Sequence, residues 1–485
     1  MLLILSCGSG NVYKPLGNSM NISRKLRSSL IILFKNFRSY TVSNYSLQQQ
    51  QQQHHHHHHH HLQRPSSTLS RRFINRVLWS DREKTDKQSA IKMWATYLKS
   101  SKSDSARKLK EYHSQVLESV EVKGEKSNTM VFGEINQLHF HNASATTVKT
   151  PTLLLHGYAA SSLHFFRNFT GLSESIRDVY AIDLPSFGLS TAPGLDFSPT
   201  KMTDLKVNYT DSEKSTFKLS EKNKKNNDLY YKETKSQLDE YEDYYIEKIE
   251  KWRISNNLEK INLVGHSFGG YLSFKYAIKH PNAIEKLCLV SPLGMESSMY
   301  SIHNKLEIDK EYTVDVEDPS SSFYSNGRNI PNILFQNQLN ILRWLGPIGS
   351  SLCWKYINAS YRMVPNPVFK DYLFELLYGK GGMPSVTIDI FTKLFTNSLL
   401  AKDPILDNIH KLQADKFLIL YGDHDWMNNY AGYKMVQNLN SLKGKQPLGS
   451  IDYASYLEVP EAGHNLFLDN PSYFNNALVS FLKAK

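Results

Sequence analysis

The pentapeptide Gly265-His266-Ser267-Phe268-Gly269 constrains this chain more than any other feature. It sits between a strand-like run, Ile261 to Val264, and an apolar helix-like run from Tyr271 to Ala277. A serine flanked by glycines at a strand-to-helix junction is a nucleophile elbow. The glycines permit a sharp turn and keep side chains away from the serine. The turn lifts the hydroxyl above the sheet edge, where a substrate can reach it. A bare G-x-S-x-G also arises in ordinary turns, so the strand before it and the helix after it carry the reading.

A serine is a poor nucleophile without a base, and the base needs an orienting acid. With such an elbow the three follow in the order serine, acid, histidine. Phe417 to Tyr421 reads as a buried strand ending in Gly422-Asp423-His424-Asp425-Trp426. An acid there stands at the carboxyl end of a strand, where open α/β sheets place their sites. Asp425 is the better choice, because the chain needs a few residues after Gly422 before a side chain can point back. Asp423 reads as a turn-stabilising side chain. The base is His464, in a loop after the strand Tyr456–Val459 and before the last helix. His266, inside the elbow, reads as a packing residue, and His156, His410 and His424 lack the setting of His464. For the oxyanion, one donor is the N–H of Phe268, directly after the nucleophile. The other is assigned to Tyr158, in the loop after the strand Thr152–Leu155.

Three stretches, His156-Gly157-Tyr158, Asp183 to Ser190 and Gly265 to Gly270, together resemble the α/β-hydrolases of phospholipid metabolism. Three more are similar to one branch, that of fungal mitochondrial cardiolipin-specific deacylase and the lysophosphatidic acid acyltransferases. They are Trp344 to Gly349, Tyr378 to Gly381 and Leu400 to Ile405. The resemblance spans about residues 90 to 485. The elbow and triad are common to many hydrolases and choose no substrate, so the branch-level stretches are the specific part. The branch also carries His-x-x-x-x-Asp, here His464 and Asp469, which the resemblance links to acyl transfer. An alternative stands beside it: Asn470 and Pro471 suit an N-cap and a first helical position, and Asp469 then only favours the helix start. Relatives without the elbow serine act as non-catalytic coactivators, and the presence of Ser267 argues against that role.

The formal net charge of +11 does not indicate nucleic acid, because of where the charge lies. Residues 1–80 hold ten of the 57 basic residues and no Asp or Glu, leaving 47 basic against 46 acidic residues in the body. A basic, Ser-rich, acid-free leader has the composition of a transit peptide. Between Asn21 and Tyr40, Ile22, Leu26, Leu30, Leu33, Phe34 and Phe37 share one helical face, with Arg24, Arg27, Lys35 and Arg38 opposite. Met20 is a natural start for such a leader, which leaves open whether translation begins at Met1. A secretory signal fits less well, since Leu2 to Leu5 is short and no basic residue precedes it. The expectation is a mitochondrial protein, peripheral on the inner membrane and facing the matrix. No run approaches 18 apolar residues, so contact with lipid is expected to be peripheral.

Cys7, Cys288 and Cys353 are far apart and suggest no disulfide framework; Cys288 reads as a small core residue. Gln48–Gln53 and His54–His61 form a low-complexity tract, read as a linker although eight histidines can bind metal. Residues 193–237 are polar and poor in apolar side chains, and are expected to form a disordered surface insertion before the helix Tyr241–Trp252.

The alternation of strand and helix predicts an α/β fold with a doubly wound, mostly parallel sheet, and the resemblance implies the α/β-hydrolase fold with a helical cap insertion. Strands are expected at Leu153–Leu155, Val179–Ile182, Ile261–Val264, Leu287–Val290, Phe417–Tyr421 and Tyr456–Val459. The organisation expected is a leader and linker over 1–84, a hydrolase domain over 85–485, and a cap at about 295–400. Within the cap, Trp344, Leu345, Trp354 and Tyr356 lie beside Arg343, Lys355 and Arg362, which suits either an interfacial segment or a lid packed on the core. Gly346-Pro347 predicts a break there between two short helices.

The expected chemistry is attack of Ser267 on a fatty-acyl ester, with His464 as base and Asp425 as its orienting acid. It calls for no cofactor and assigns no metal ligand. The partner is a phospholipid substrate, and nucleic acid is excluded. Cardiolipin deacylation is the leading expectation from the resemblance. CoA-dependent acylation of lysophosphatidic acid is the alternative, and a lipid-binding coactivator is the third.

Overall fold

A computed structural model of the chain describes residues 87–195, 202–444 and 452–484. The leader with its amphipathic segment Asn21–Tyr40, the Gln/His tract and residues 196–201 of the polar insertion lie outside the described residues. The chain forms two compact units. One comprises Gly327–Ser360 with the described residues up to Trp94; the other comprises Ala95–Asn326 and the chain from Tyr361 onward.

The larger unit is built on an eight-stranded sheet. In chain order the strands are β1 (Glu125–Val131), β2 (Ile135–His141), β3 (Thr152–Leu155), β4 (Asp178–Ile182), β5 (Asn208–Tyr209) and β6 (Thr216–Lys218). They continue with β7 (Ile261–His266), β8 (Ile284–Val290), β9 (Glu311–Thr313), β10 (Lys416–Gly422) and β11 (Ala454–Val459). The spatial order of the main sheet is β1-β2-β4-β3-β7-β8-β10-β11. From β4 to β11 all neighbours are parallel, and these six strands are the ones the apolar runs predict. Leu153, Leu154, Leu155, Leu263, Val264, Leu289 and Ile419 are fully buried, as strands covered on both faces require. Each such side chain contributes roughly 1.5–3 kcal/mol relative to exposure. Cys288 is buried among them and unpaired, as a small core residue.

The antiparallel hairpin β1–β2 extends the sheet at one edge. It gave no sequence signal, because β1 (Glu125–Val131) is exposed along nearly its whole length and shows no apolar alternation.

Residues 202–237 differ from the expected disordered insertion. They form β5 and β6, and the helix expected from Tyr241 begins at Lys224 and runs to Ser255. The segment has few apolar residues, but the rest of the chain supplies the other half of its core. β6 pairs with β9, and Phe217 is buried against Met299 and Tyr312. Leu205, Leu219 and Tyr230 form a second small cluster.

Residues 295–400 carry β9 and helices over Asn332–Trp344, Pro347–Ser360, Pro367–Tyr378 and Ser385–Leu394. The first two belong to the smaller unit. Gly346, at φ +57°, makes the turn between them, and Gly349 presses against the Leu342 carbonyl so closely that a Cβ would collide with it. Among the described residues no helix is long and apolar enough to cross a membrane.

Behind the elbow helix, Phe268–Lys279, lies a buried ion network. Lys275 Nζ is 2.6 Å from Asp403 and 3.3 Å from Glu242. Tyr271 donates to Glu242 at 2.5 Å, and His303 lies 2.7 Å from Asp403. Burial opposes ionisation of Asp403, but Lys275, His303 and Asn408 together hold its carboxyl far below the usual range. Asp403 sits in the branch-level stretch Leu400–Ile405. Its job there is to neutralise a lysine buried on the helix that carries the nucleophile.

Candidate active site

β7 delivers Ser267 into a strained turn at φ +54° and ψ −116°, from which the Phe268–Lys279 helix starts. Its backbone is tied on both sides: Ser267 N–H donates to Val290 at 2.9 Å, and its carbonyl accepts from Leu293 at 3.0 Å. A Cβ on Gly265 would strike Ser273 and Gly269, and one on Gly269 would strike the His156 carbonyl. The elbow glycines are therefore required by close approach of strand, helix and loop.

The structure brings Ser267, His464 and Asp425 together. Ser267 Oγ lies 3.1 Å from His464 Nε2, and His464 Nδ1 lies 3.2 Å from Asp425 Oδ1. An ionised carboxylate only accepts, so Nδ1 carries the proton and Nε2 faces the hydroxyl as acceptor. Ser267 is 7% exposed, and the side chains of Asp425 and His464 are 1% and 19% exposed. The acid is buried while one edge of the base stays open.

Burial pushes the Asp425 carboxyl up, but His464, Ser291 and the Met427 N–H outweigh it and hold the group below the usual carboxylate range. Met427 donates to Oδ1 at 3.0 Å, and Ser291 Oγ donates to Oδ2. Ser291 follows β8 and had no sequence signal, being a single polar residue after an apolar strand. Asp423 does not reach the ring. It accepts from the N–H groups of Glu461 and Ala462, both at 2.9 Å, and so fixes the loop that carries His464.

Three other residues shape that loop. His266 Nε2–H donates to the His464 carbonyl at 3.0 Å, and the two rings are 4.8 Å apart. Burial, with the charge of His464 second, pushes His266 well below the usual histidine range, so it is a neutral support. The Trp426 ring lies 5.0 Å from that of His464. Asp469 Oδ2 accepts the Gly463 N–H at 2.9 Å, one residue before the base. Burial raises the Asp469 carboxyl above its ordinary range, against the pull of that N–H, Arg362 and Arg167. The N-cap of the final helix is Asn470, whose side chain accepts from Tyr473 at 3.2 Å, with Pro471 in its first turn. Asp469 is thus a clamp on the histidine loop and not the helix cap.

On the other side of Ser267 runs the loop His156-Gly157-Tyr158. A Cβ on Gly157 would sit 3.0 Å from Ser267 Cβ, so this loop lies directly against the nucleophile. His156 anchors it: Nδ1–H donates to Gly157 at 2.8 Å, and Nε2 accepts from the Leu184 N–H at 3.0 Å. Burial lowers the pKa of His156 and keeps it neutral in this role. Asp183 holds the adjoining loop through the N–H groups of Ser162 at 2.7 Å and Leu189 at 2.8 Å. Around the site stands an aromatic wall, in which Tyr158 meets Phe391 at 4.1 Å and Phe268 meets Phe395 at 6.0 Å.

A profile of the family described as the alpha/beta hydrolase fold matches residues 150–471. Protein ECM18 of Saccharomyces cerevisiae is 47% identical over 421 residues, covering 87% of this chain and 90% of that protein. From the same yeast, 1-acylglycerol-3-phosphate O-acyltransferase ICT1 is 48% identical over 381 residues, 78% of this chain and 93% of that protein. A more distant relative, 1-acylglycerol-3-phosphate O-acyltransferase ABHD5 of Rattus norvegicus, is 26% identical over 69% of this chain and 77% of its own length. The chain therefore belongs to the α/β-hydrolase family, in the branch that holds these relatives.

Proposed function

We propose that this chain is a serine-dependent acyl-ester enzyme of phospholipid metabolism, acting first as a deacylase, with cardiolipin as the expected substrate. The hydrogen-bonded line Ser267–His464–Asp425 carries the reading. His464 takes the proton of Ser267 as the hydroxyl attacks the ester carbonyl. Asp425 stabilises the imidazolium that forms. The N–H groups of Tyr158 and Phe268 hold the oxyanion. His464 then returns the proton to the departing lysolipid alcohol, and water, activated by the same base, releases the fatty acid from acyl-Ser267. The aromatic wall of Tyr158, Phe268, Phe391 and Phe395 suits an acyl chain. Cardiolipin itself rests on the family resemblance.

A second reading is supported by the names of the yeast and rat relatives: the acyl group passes to lysophosphatidic acid instead of water. Asp469 favours the first reading, because its carboxylate binds a backbone N–H rather than reaching the reacting atoms. Retention of Ser267 speaks against a purely non-catalytic coactivator. In the smaller unit, Trp344 and Ile348 are 67% and 66% exposed at the turn between two helices, beside Arg343. Such a tip suits peripheral contact with an anionic bilayer. We place that bilayer in the mitochondrion on the strength of the basic leader.

The test is to incubate the full-length protein with cardiolipin-containing vesicles and follow fatty acid and lysolipid by mass spectrometry. Ser267→Ala is run beside it. Release without acyl-CoA that is lost in Ser267→Ala supports the deacylase. Phosphatidic acid formed from lysophosphatidic acid only with acyl-CoA, and no release, moves the function to the transferase. Absence of both, with no labelling of Ser267 by a fluorophosphonate, leaves the coactivator.

A further inference from the structure

A second cluster of histidines and aspartate lies on β2 and β4, next to the edge strand β1 of the main sheet. On β2, His139 and His141 alternate with Phe140, so both side chains stand on one face. The β2–β4 register pairs His141 with Asp178 and His139 with Tyr180, which puts Asp178 on that same face. His139 Nε2 is 2.9 Å and His141 Nδ1 is 2.8 Å from the same oxygen, Asp178 Oδ1. All three donor atoms lie within 4.8 Å of one another.

We propose that His139, His141 and Asp178 bind a divalent transition-metal ion, Zn2+ by its chemistry. Two imidazole nitrogens and one carboxylate oxygen form the borderline donor set that Zn2+ takes in three-ligand sites, with water in the fourth position. Tetrahedral bonds of about 2.0–2.1 Å put donor atoms roughly 3.3 Å apart; the two nitrogen-to-oxygen spacings, 2.9 and 2.8 Å, need to open by about half an ångström, and the two ring nitrogens already lie within 4.8 Å of each other. The ligands stand on hydrogen-bonded strands, which hold geometry better than loops.

Outer contacts orient the ligands. The His139 ring stacks on Tyr180 at 4.1 Å with the ring planes nearly parallel, and Tyr180 is held edge-on by Trp252 at 5.3 Å. Trp252 is fixed by its own donation to Gln137 on β2 at 2.6 Å. The side chains of His139, His141 and Asp178 are 25%, 39% and 19% exposed, so an ion can enter from solvent. β1 pairs Glu125 with His141 on the same face.

This site cannot feed the ester chemistry. Asp178 opens β4, whereas Ser267 follows the carboxyl end of β7, and both strands run parallel in the sheet. The ion would staple β2 to β4 and stabilise the folded state by an amount that grows with the logarithm of free Zn2+ over its Kd.

The experiment uses the full-length chain with His54–His61 replaced by serine, so that the octahistidine run does not compete. Zn2+ is titrated by calorimetry at pH 7.5, and thermal unfolding is followed with and without Zn2+. The expected result is one Zn2+ per chain and a rise in Tm. Asp178→Asn and, independently, His141→Gln should weaken binding more than about 100-fold, beyond the 10–100-fold typical of an outer contact such as Tyr180→Leu. Unfolding without Zn2+ shows whether each variant keeps the fold. Either no bound Zn2+ in the parent, or unchanged affinity in both folded ligand variants, overturns the proposal.

Discussion

His464 with Asp425, and His139 with His141 and Asp178, use the same side-chain types at opposite ends of the parallel strands of one sheet. The first acid stands in a loop beyond the carboxyl end of β10, and its side chain is almost wholly buried. It is ringed by donors: His464, Ser291 and the Met427 N–H. The second stands on a strand at the amino end of β4, and both its histidines are open to water. One arrangement gives each imidazole nitrogen a separate partner, acid on one side and hydroxyl on the other. The second aims a nitrogen of each ring at a single oxygen. Burial with separate partners makes a proton relay; exposure with convergence makes a chelate. Residue type alone does not distinguish them.

The sharpest way to break this comparison is Asp425→Asn. The amide keeps the volume but cannot hold His464 in the required tautomer. A loss of about 10⁴-fold in kcat is expected, measured on vesicle substrate, since removing this role from such triads has an effect of that size. Zn2+ binding at the second cluster should not change. A loss under tenfold would mean that Asp425 does not orient the base.

A tenfold effect is expected from Ser291→Ala, which removes one of the donors that hold Asp425. Asp425 is depressed below the usual carboxylate range, so its contribution to stability is present above the unfolded pKa of about 3.9 and is lost as pH falls through the folded value. Losing Ser291 raises the folded value toward the unfolded one. The variant should therefore be less stable than wild type at pH 7, with the gap closing as both carboxyls protonate below about pH 4. Urea unfolding from pH 7 to pH 3 measures this. A gap that stays constant to pH 3 would show that Ser291 acts by packing and not through the carboxylate.

What the residues announced and what they concealed follows the same division. The elbow serine and the acid were legible because each follows a short apolar-rich run that reads as a buried parallel strand, whereas His464, after the half-exposed strand β11, was found from the chain order serine, acid, histidine. Ser291 was hidden, since a lone serine after β8 looks like any strand-ending residue. The second cluster was hidden for a different reason. His139 and His141 sit two apart on a strand whose partner β1 is exposed, and Asp178 joins them only through the β2–β4 register. The strands at residues 208–218 were missed because their apolar partners, Met299 and Tyr312, come from far along the chain.

Asp469 tests how far charge matters next to the base. It sits five residues after His464, yet its carboxylate holds the Gly463 N–H. An amide oxygen can accept the same bond, so Asp469→Asn should lower deacylation by less than about tenfold, whereas a transferase that uses Asp469 as an acid–base group would lose 10²-fold or more. Stability should move the other way. Burial raises the folded pKa of Asp469, so the stability it gives is full below the unfolded pKa of about 3.9 and is lost as pH rises through the folded value. Asparagine mimics the protonated form and escapes that loss. Tm of Asp469→Asn should match wild type near pH 4 and equal or exceed it at pH 7. A variant clearly less stable at pH 7 would mean that the ionised carboxylate is favoured by Arg167 and Arg362. The clamp would then be an ion pair, and the burial that raises this acid would not govern it.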